Sequence, residues 1–156
     1  MHIHALGPTD LAHFPTLYDV ATRVRQRAYA PYSNFLVGAA VLTTSGKIYA
    51  GCNVECADYD GTHAEESALS AMVAAGERSP SRLLVLAGLR DRVEPTFVTP
   101  CGKCRQKLME FFPLSGCDLR IFTNDMNKPH IVLLSDLLPR SFGPADIGVD
   151  LAKHRR

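Results

Sequence analysis

Apolar residues recur at helical spacing in several stretches of the chain, and polar or special residues mark where those stretches begin and end. The predicted helices cover Thr9 to Ala30, Ala64 to Ala75 and Cys101 to Phe112, with a short one that ends at Leu138-Pro139. Within the first stretch Thr16 is the expected N-cap, and Pro31 ends the helix because proline has no N–H to donate. Gly76 predicts the end of the second helix, and Pro100 is expected at the first position of the third.

Compact apolar runs between turn residues predict strands. They cover Phe35 to Thr43, Ile48 to Val54, Leu83 to Leu89, Asp118 to Thr123 and Ile131 to Leu134, with a short extended segment at Phe97-Val98. The turn residues Thr44-Ser45-Gly46 join the first two strands into a hairpin. Strands interleaved with helices predict an α/β layered domain, and the hairpin makes its sheet of roughly five strands mixed.

Composition narrows this picture to one domain and a small ligand. With 156 residues, 46% of them hydrophobic and 21% charged, the chain is long enough for one core of ordinary size. We expect a single domain over residues 1–156, with its core at about 16–143 and loosely held ends at 1–8 and 146–156. A net charge of +1 and a pI of about 7.7 give no general field that would attract nucleic acid or an anionic membrane.

The cysteines indicate the compartment. Five is an odd number, and their spacing lacks the dense, even pattern of a secreted disulfide scaffold, so a reducing environment is expected. The N-terminal residues have no basic start, and no segment has the apolar length of a membrane span. We therefore expect a cytoplasmic protein. Outside the motif described next, Cys52, Cys56 and Cys117 are expected to be packing residues.

Three metal-binding residues fall at the starts of two predicted helices. Cys101 and Cys104 are one turn apart, so their sulfurs face the same direction, and the helix dipole at that end favours thiolate. His63 begins the other helix, 38 positions earlier. Three protein ligands leave an open position for water, as in catalytic zinc sites, and zinc lowers the pKa of that water to roughly 7.

Two other interpretations of these residues remain open. The Cys-x-x-Cys pair is also the spacing of a redox site, although no thioredoxin-like context surrounds it. A non-catalytic module with structural zinc would need a fourth protein ligand. The other histidines have no local context near the site and are expected at the surface: His2, His4, His13, His130 and His154.

Glu65 lies close to the metal position without being bound to it in this arrangement, which predicts a proton carrier. The alternative is that Glu65 and Glu66 only complement the dipole of a helix N-terminus. That alternative fits Glu66 well.

These residues resemble the zinc-dependent nucleoside deaminases, whose signature combines His-x-Glu with Pro-Cys-x-x-Cys. Within that superfamily the chain is most similar to the cytidine deaminase family, in a variant with histidine as the first zinc ligand. The resemblance covers roughly Ala28 to Phe142. It rests on segments in the family's order: Tyr29-Ala30-Pro31-Tyr32-Ser33-Asn34-Phe35-Leu36-Val37-Gly38-Ala39-Ala40, Gly51-Cys52-Asn53-Val54-Glu55, both metal segments, Cys104-Arg105-Gln106 and Leu137-Leu138-Pro139.

The resemblance implies a three-layer α/β/α sandwich, one zinc ion per subunit and a set of substrate contacts. Asn53 and Glu55 would bind the ribose hydroxyls, and Phe35 would pack against the pyrimidine. The N–H of Ala64 and the carbonyl of Thr99 would bind the oxygen and the amino group of the base. A neighbouring subunit would close the pocket in a homotetramer, with a dimer as the alternative, and the residues that do so would be Ala57, Tyr59 and Phe142.

The implied activity is that of a hydrolase acting on C–N bonds of cyclic amidines, which converts cytidine or deoxycytidine into the uridine form and ammonia in pyrimidine salvage. Another aminopyrimidine nucleoside or a blasticidin-type antibiotic is the alternative substrate. The alternative from another class is a non-catalytic nucleoside-binding module in which the zinc is structural.

The chain departs from the pattern of the short-chain members of the family in three places: a pair of coupled residues, a loop and a single cysteine. His63 replaces their cysteine and Glu66 their arginine; the two changes fit together, because zinc with one imidazole and two thiolates is neutral and needs no compensating arginine. The loop from Asp58 to Thr62 is about one residue short, and Cys56 stands where asparagine is usual. The identity of the substrate therefore follows less directly than the type of reaction.

Overall fold

The computed structural model of the chain describes residues 2–92, 94–125 and 128–154. The helices are α1 (Pro8–Arg25), α2 (Ala64–Ala74), α3 (Gly102–Met109), α4 (Phe112–Ser115) and α5 (Leu134–Leu137). The strands are β1 (Phe35–Thr43), β2 (Ile48–Cys52), β3 (Pro80–Leu89), β4 (Thr96–Phe97), β5 (Arg120–Asp125) and β6 (Lys128–Leu133). Two short 3₁₀ helices follow, Pro144–Ile147 and Leu151–His154.

The strands form one mixed sheet in the order β2-β1-β3-β5-β6, with β4 paired to β3. β3 and β5 pair in parallel, and the other described pairs are antiparallel. The prediction of a mixed sheet is confirmed. The extended segment expected near Phe97 is the sixth strand, which pairs through Leu86 with Phe97 and through Ala87 with Thr96.

Helices cover both faces of this sheet, because alternate residues of the strands point to opposite sides. One face packs against α1 through Ala40, Leu42, Leu84, Leu86, Phe122, Leu17 and Ala21. The other packs against α2 and α3 through Ala39, Val41, Leu83, Val85, Ile121, Ala68, Met72 and Leu108. Each large side chain buried in this way contributes about 1.5–3 kcal/mol. The expected three-layer α/β/α sandwich is confirmed.

Two glycines let the helices approach the sheet closely. A Cβ at Gly38 would lie 2.3 Å from the carbonyl oxygen of Ala21 on α1. A Cβ at Gly51 would lie 2.3 Å from the backbone nitrogen of Ala68 on α2. Any side chain at either position would push its helix away from the sheet, so Gly51 sets the position of the helix that begins after His63.

α1 begins earlier and ends earlier than its pattern predicts. Thr16 is inside the helix and the prediction that it is the N-cap is wrong: Gly7 is the N-cap and Pro8 the first helical residue. The N–H of Gly7 donates to Oδ2 of Asp10 at 2.9 Å, which satisfies one donor at the helix start. The helix ends at Arg25 because residues 26–30 leave it to pair with the segment after β2, where Tyr29 donates its N–H to the carbonyl of Asn53 at 3.1 Å.

A buried ionic cluster ties α1 to the sheet. Asp10 accepts from Nε of Arg82 at 2.9 Å and from NH2 of Arg120 at 2.7 Å. Burial alone would raise the pKa of Asp10, but hydrogen bonds from Arg120, the N–H of Gly7 and Arg82 bring it below its ordinary value. The carboxylate therefore stays ionised and joins three elements.

The third predicted helix is divided in two. Pro100 precedes the helix instead of occupying its first position, because Cys101 is the N-cap and Gly102 the first helical residue. α3 ends at Met109, and α4 begins with proline in its first turn. The predicted end of α2 is confirmed: Gly76 has a φ of 85° and donates its N–H to the carbonyl of Val73 at 2.9 Å.

Both ends of the chain contact the domain. His4 and Ile131 exchange backbone hydrogen bonds of 2.8 and 2.9 Å, and NH1 of Arg78 donates to the carbonyl of His154 at 3.0 Å. Loose attachment of the ends is a property of motion and stays a prediction, as does the extent of the domain. Met1, Arg155 and Arg156 lie outside the described residues. Within the described ranges, no helix has both the length and the apolar character that crossing a lipid bilayer requires.

Candidate active site

The side chains of His63, Cys101 and Cys104 converge where α2 and α3 begin. Nδ1 of His63 lies 3.2 Å from Sγ of Cys104 and 3.3 Å from Sγ of Cys101. The three ligand atoms lie within 4.8 Å of one another, and no other His, Cys, Asp or Glu side chain of the described residues joins this group. One imidazole nitrogen and two sulfurs are a donor set that zinc prefers, so these residues fit a zinc ion.

Helix starts position all three side chains. His63 and Cys101 are the N-caps of α2 and α3, and their carbonyls accept the first helical hydrogen bonds, from Ser67 at 3.0 Å and from Arg105 at 2.9 Å. Cys104 follows in the first turn of α3. Because each residue belongs to a helix that packs on the sheet, the core holds the metal-binding group in place.

The two cysteines differ in their surroundings. Cys104 is fully buried, and burial, followed by the charge of Glu65, raises the pKa of its thiol. The contribution of the helix N-terminus in favour of the thiolate stays a prediction, and in the metal-free chain the loss of hydration at Cys104 opposes it. A coordinated thiol is deprotonated by the metal itself. Cys101 is exposed.

Glu65 is the second residue of α2 and is only 5% exposed. Burial raises the pKa of its carboxyl. A hydrogen bond with its own backbone and the charge of His63 lower the pKa, but by less than burial raises it. A carboxyl group with a raised pKa exchanges a proton more readily near neutral pH than an ordinary glutamate does. This property suits the predicted proton carrier.

Glu66 has a structural role at the same helix start. Its Oε2 accepts the N–H of His63 at 2.8 Å, which completes half of a capping box. Its Oε1 pairs with the ammonium groups of Lys107 and, at 3.4 Å, Lys103. Burial would raise the pKa of Glu66, but the bonds from Lys107 and from the N–H of His63 lower it to about 2. The contacts fit the interpretation of Glu66 as a first-turn residue.

A cavity of about 270 Å³ opens beside the metal-binding group. Its lining consists of Phe35, Val37, Asn53, His63, Ala64, Glu65, Val98, Thr99 and Cys101. Seven of these nine are predicted site residues, and the structure brings them to one place. Val37 and Val98 are the additions. Val37 lies two positions after Phe35 on β1 and so faces the same side of the sheet. The alternation of strand residues could therefore have predicted Val37 as a lining residue.

Asn53 connects β2 to β1 at the edge of this cavity. Its Oδ1 accepts the N–H of Val37 at 2.8 Å, and its Nδ2 donates to the carbonyl of Phe35 at 3.0 Å. An amide side chain offers two N–H donors and two acceptor lone pairs, so one of each remains for a ligand. Asn53 therefore orients Phe35 and retains polar capacity of its own.

Glu55 lies outside the lining of this cavity, in an adjacent one of about 290 Å³. Oε2 of Glu55 accepts the N–H of Tyr32 at 2.8 Å and the N–H of Ser33 at 3.2 Å, and Oε1 accepts the hydroxyl of Ser33. The hydrogen bond from Ser33 lowers the pKa of Glu55, so the side chain is an ionised acceptor at neutral pH.

Comparison with known proteins places this geometry in a family. The model of the cytidine and deoxycytidylate deaminase zinc-binding region matches residues 15–113, which is more than half of the chain. A cytidine deaminase from Sporosarcina psychrophila is 40% identical over 126 residues, which are 80% of this chain and 88% of the relative. The chain belongs to the cytidine deaminase family.

Other members of the family agree in length and in fold. A cytidine deaminase from Halalkalibacterium halodurans is 36% identical over 133 residues, covering 84% of this chain and 95% of the relative. The crystal structure of a cytidine deaminase from Burkholderia pseudomallei superposes with a TM-score of 0.68 at 38% identity, covering 82% of this chain and 98% of that one. The expected family and its zinc cofactor are thereby confirmed.

The residues expected to reach a neighbouring subunit all lie at the surface. Tyr59 is 89% and Phe142 60% exposed, and Ala57 is exposed as well. None of the three lines the cavity beside the metal-binding group, although Tyr59 lines the adjacent one with Glu55. Their role between subunits stays a prediction.

The loop from Asp58 to Thr62 is the segment expected to be about one residue shorter than the family pattern, and its length relative to the family stays a prediction. Oδ1 of Asp58 accepts the N–H of Asp60 at 3.1 Å, and Tyr59 between them has a φ of 63°. Asp60 lies 3.7 Å from Nζ of Lys103, which also pairs with Glu66. Lys103 thus links this loop to both helices that carry the metal-binding residues.

Three minor predictions about cysteine and histidine are wrong. Cys56 and Cys117 are exposed instead of packed, because each lies in a loop beyond the end of an element. His130 is buried on β6 instead of lying at the surface. Sequence patterns around single residues of these types did not indicate their burial.

Proposed function

We propose that this chain catalyses the zinc-dependent hydrolytic deamination of cytidine and deoxycytidine, which releases ammonia. The observation that carries the proposal is the cavity of about 270 Å³, which joins the metal-binding group, a buried carboxyl and an aromatic ring. Membership of the cytidine deaminase family supports the same reaction. The net charge of +1 favours a free nucleoside over a nucleic acid as the substrate.

Glu65 moves the protons in this reaction. When bound by His63, Cys101 and Cys104, zinc supplies a Lewis acid that lowers the pKa of water towards neutrality. Glu65 takes a proton from the attacking water and gives it to the ring nitrogen of the base. It then takes the proton of the hydroxyl group now on the ring carbon and gives it to the amino group, so that ammonia leaves and the carbonyl of the uridine form remains. Burial raises its pKa, which favours the protonated form from which the ring nitrogen and the departing amino group receive their protons.

The base lies between Phe35 and the helix start. Ala64 is the first residue of α2, so its N–H has no acceptor within the helix and is available for the oxygen of the base. The carbonyl of Thr99 accepts from the amino group of the substrate. Thr99 lines the cavity, and its hydroxyl is held by NH2 of Arg105 at 3.3 Å.

Asn53 and Glu55 bind the sugar. A carboxylate offers about four acceptor positions, of which the contacts with Tyr32 and Ser33 fill three. The remaining acceptor of Glu55 and the remaining N–H of Asn53 match a single hydroxyl group, which donates one hydrogen bond and accepts another. Both cytidine and deoxycytidine provide such a group.

The active enzyme is a cytoplasmic homotetramer with one zinc ion per subunit, and it acts in pyrimidine salvage. The assembly is supported by the family resemblance and by the exposure of two aromatic side chains, Tyr59 and Phe142. In the tetramer Ala57, Tyr59 and Phe142 close a neighbouring pocket. The odd cysteine count supports the reducing compartment.

An ammonia-release assay tests the proposed reaction. Cytidine, deoxycytidine and blasticidin S are each assayed with the zinc-loaded protein, with a chelator-treated sample and with that sample after zinc is restored. We expect turnover of cytidine and deoxycytidine that the chelator abolishes and zinc recovers. Activity on blasticidin S alone would replace the substrate, and turnover that survives complete zinc removal would exclude the mechanism.

A further inference from the structure

The hydroxyl of Ser33 joins two residues to which the proposed function gives different parts of the substrate. It donates to Oε1 of Glu55, on the sugar side. It also accepts the N–H of Phe35 at 3.0 Å, on the base side. Glu55 and Phe35 lie 20 positions apart and line different cavities.

The direction of both hydrogen bonds follows from the chemistry of the groups. A serine hydroxyl has one hydrogen to donate, an ionised carboxylate only accepts, and a backbone N–H only donates. The hydroxyl of Ser33 therefore donates its hydrogen to Glu55, and its oxygen accepts the N–H of Phe35. No other donor assignment satisfies both contacts while Glu55 is charged, and the pKa of Glu55 is below its ordinary value.

A local turn motif explains only half of this arrangement. A serine often accepts the N–H of the residue two positions later, as Ser33 does for Phe35. That motif does not need Glu55. This residue lies in the segment after β2 and also accepts the N–H groups of Tyr32 and Ser33. The carboxylate of Glu55 thus accepts three hydrogen bonds from this turn.

We infer that Ser33 is a positioning residue that couples the sugar-binding carboxylate to the base-binding ring. Its hydroxyl fixes Oε1 of Glu55 and, through the N–H of Phe35, the start of β1. The inference rests on the proposed function for the assignment of Glu55 to the sugar. It goes beyond that function because Ser33 acts on the substrate only through its two neighbours.

The turn itself has separate support, so the hydroxyl can be removed without unfolding it. Asn34 has a φ of 59°, and its carbonyl and Oδ1 accept from the N–H and Nε of Arg90 at 2.9 and 3.1 Å. The N–H groups of Tyr32 and Ser33 still reach Glu55 when the hydroxyl is absent. Ser33→Ala is therefore expected to fold.

The test compares Ser33→Ala with Ser33→Thr, which keeps the hydroxyl, and with Ser45→Ala, a control in the distant β1–β2 turn. Each is assayed on cytidine and on dideoxycytidine, which lacks both ring hydroxyls of the sugar. For Ser33→Ala on cytidine we expect KM to rise about 10-fold while kcat stays within about two-fold, because a bond to a charged group that positions the ground state is lost. On dideoxycytidine only the contact with Phe35 remains to act, and we expect kcat/KM to change less than about three-fold because the pairing of β1 with β3 still holds Phe35. Ser33→Thr and Ser45→Ala should stay close to the wild type.

A double-mutant cycle with Glu55→Gln completes the test. If Ser33 acts through Glu55, adding Ser33→Ala to Glu55→Gln raises KM for cytidine by less than about two-fold. Independent effects that multiply, equal losses on both substrates, or an unchanged KM in Ser33→Ala would each overturn the inference. If Glu55→Gln itself leaves KM unchanged, the assignment of Glu55 to the sugar is wrong and the coupling fails with it. If Glu55→Gln raises KM and Ser33→Ala does not, the coupling alone is wrong.

Discussion

The metal side of the cavity rests on two helix starts that pack against the sheet, whereas the sugar side rests on exposed turns held together by hydrogen bonds. His63 and Cys104 belong to helices whose inner faces, such as Ala68 and Leu108, are buried in the core. Glu55 and Ser33 are joined instead by contacts between a side chain and a turn. The first region gains its geometry from apolar packing, and the second from a few polar bonds at the surface.

This difference separates chemistry from affinity. Reacting groups need a fixed geometry, and a helix start packed on a core supplies it because moving the helix would open cavities in that core. A surface turn adjusts at lower cost. We therefore expect changes on the metal side to remove turnover and changes on the sugar side to shift KM.

The largest expected effect comes from Cys104→Ala. The variant keeps the volume of the buried site nearly filled but loses one of three metal ligands, so zinc and all turnover above background should be lost together. Metal content by mass spectrometry and ammonia release measure the two losses. Cys117→Ala, at an exposed cysteine outside the metal-binding group, is the control and should keep both. Full activity in a zinc-free Cys104→Ala sample would contradict the assignment of Cys104 as a zinc ligand that turnover requires.

Glu65→Ala should separate metal binding from proton transfer. Zinc should remain bound at one ion per chain, while kcat falls by about 10³–10⁴-fold because the proton carrier is missing. Glu110→Ala, at an exposed glutamate after α3, should leave both unchanged. Substantial residual deamination by Glu65→Ala would exclude its role.

A pair of glycine substitutions tests whether packing or local bonding sets the metal side. Gly51→Ala presses on α2 and Gly38→Ala on α1, each with a contact of 2.3 Å from the new Cβ. Both should lower the free energy of unfolding by about 1–3 kcal/mol, as overpacking does. At a temperature where both variants are folded, only Gly51→Ala should also lower kcat, by about 10-fold, because a displacement of the catalytic groups by a fraction of an ångström is costly. Equal kcat values in the two variants would show that α2 tolerates displacement.

Glu66→Gln should have the smallest effect on activity. Its effect on the free energy of unfolding should depend on pH. The pKa of Glu66 is about 2 in the folded chain and 4.5 in a free glutamate, so its ion pairs stabilise the fold fully above pH 4.5 and lose that contribution as the pH falls towards 2. Since Lys103 and Lys107 are about half exposed, the contribution should be about 1–2 kcal/mol.

Denaturant unfolding of wild type and Glu66→Gln at pH 7 and pH 3 measures this contribution. The difference between the two proteins should shrink at the lower pH, because at pH 3 the carboxyl of Glu66 takes up a proton in the unfolded wild type while it stays ionised in the folded one, which favours unfolding. Acid release of zinc affects both proteins alike and cancels in the comparison. A difference that stays constant with pH would show that the ion pairs contribute nothing.

How well the sequence predicted each region follows the same division. The bounds of β1 agree with the predicted Phe35 to Thr43, because an apolar run before a clear turn has few alternatives. The metal-binding residues were predictable because each motif is no longer than about one helical turn. Within so short a segment, sequence spacing alone determines which side chains lie together. The start of α1 was not, because Pro15 resembles a helix boundary although the helix begins at Pro8.

The sugar side could not be derived in the same way. The bonds between Glu55 and Ser33 join residues 22 positions apart, and neither residue belongs to a periodic pattern. Family resemblance indicated Glu55 but not what holds it. Similarly, residues 26–30 continue a helical pattern, yet the pairing of Tyr29 with the segment after β2 removes them from α1, since tertiary contacts prevail over local preference.

The unequal exposure of the two cysteines has a consequence for how metal enters and leaves the folded protein. A zinc ion that approaches from solvent meets the thiol of Cys101 first, whereas Cys104 and its neighbour Glu65 lie behind it and away from water. We therefore expect exchange with a chelator to begin at Cys101. An alkylating reagent should react with Cys101 in the metal-free protein while Cys104 remains shielded by α3 and the sheet.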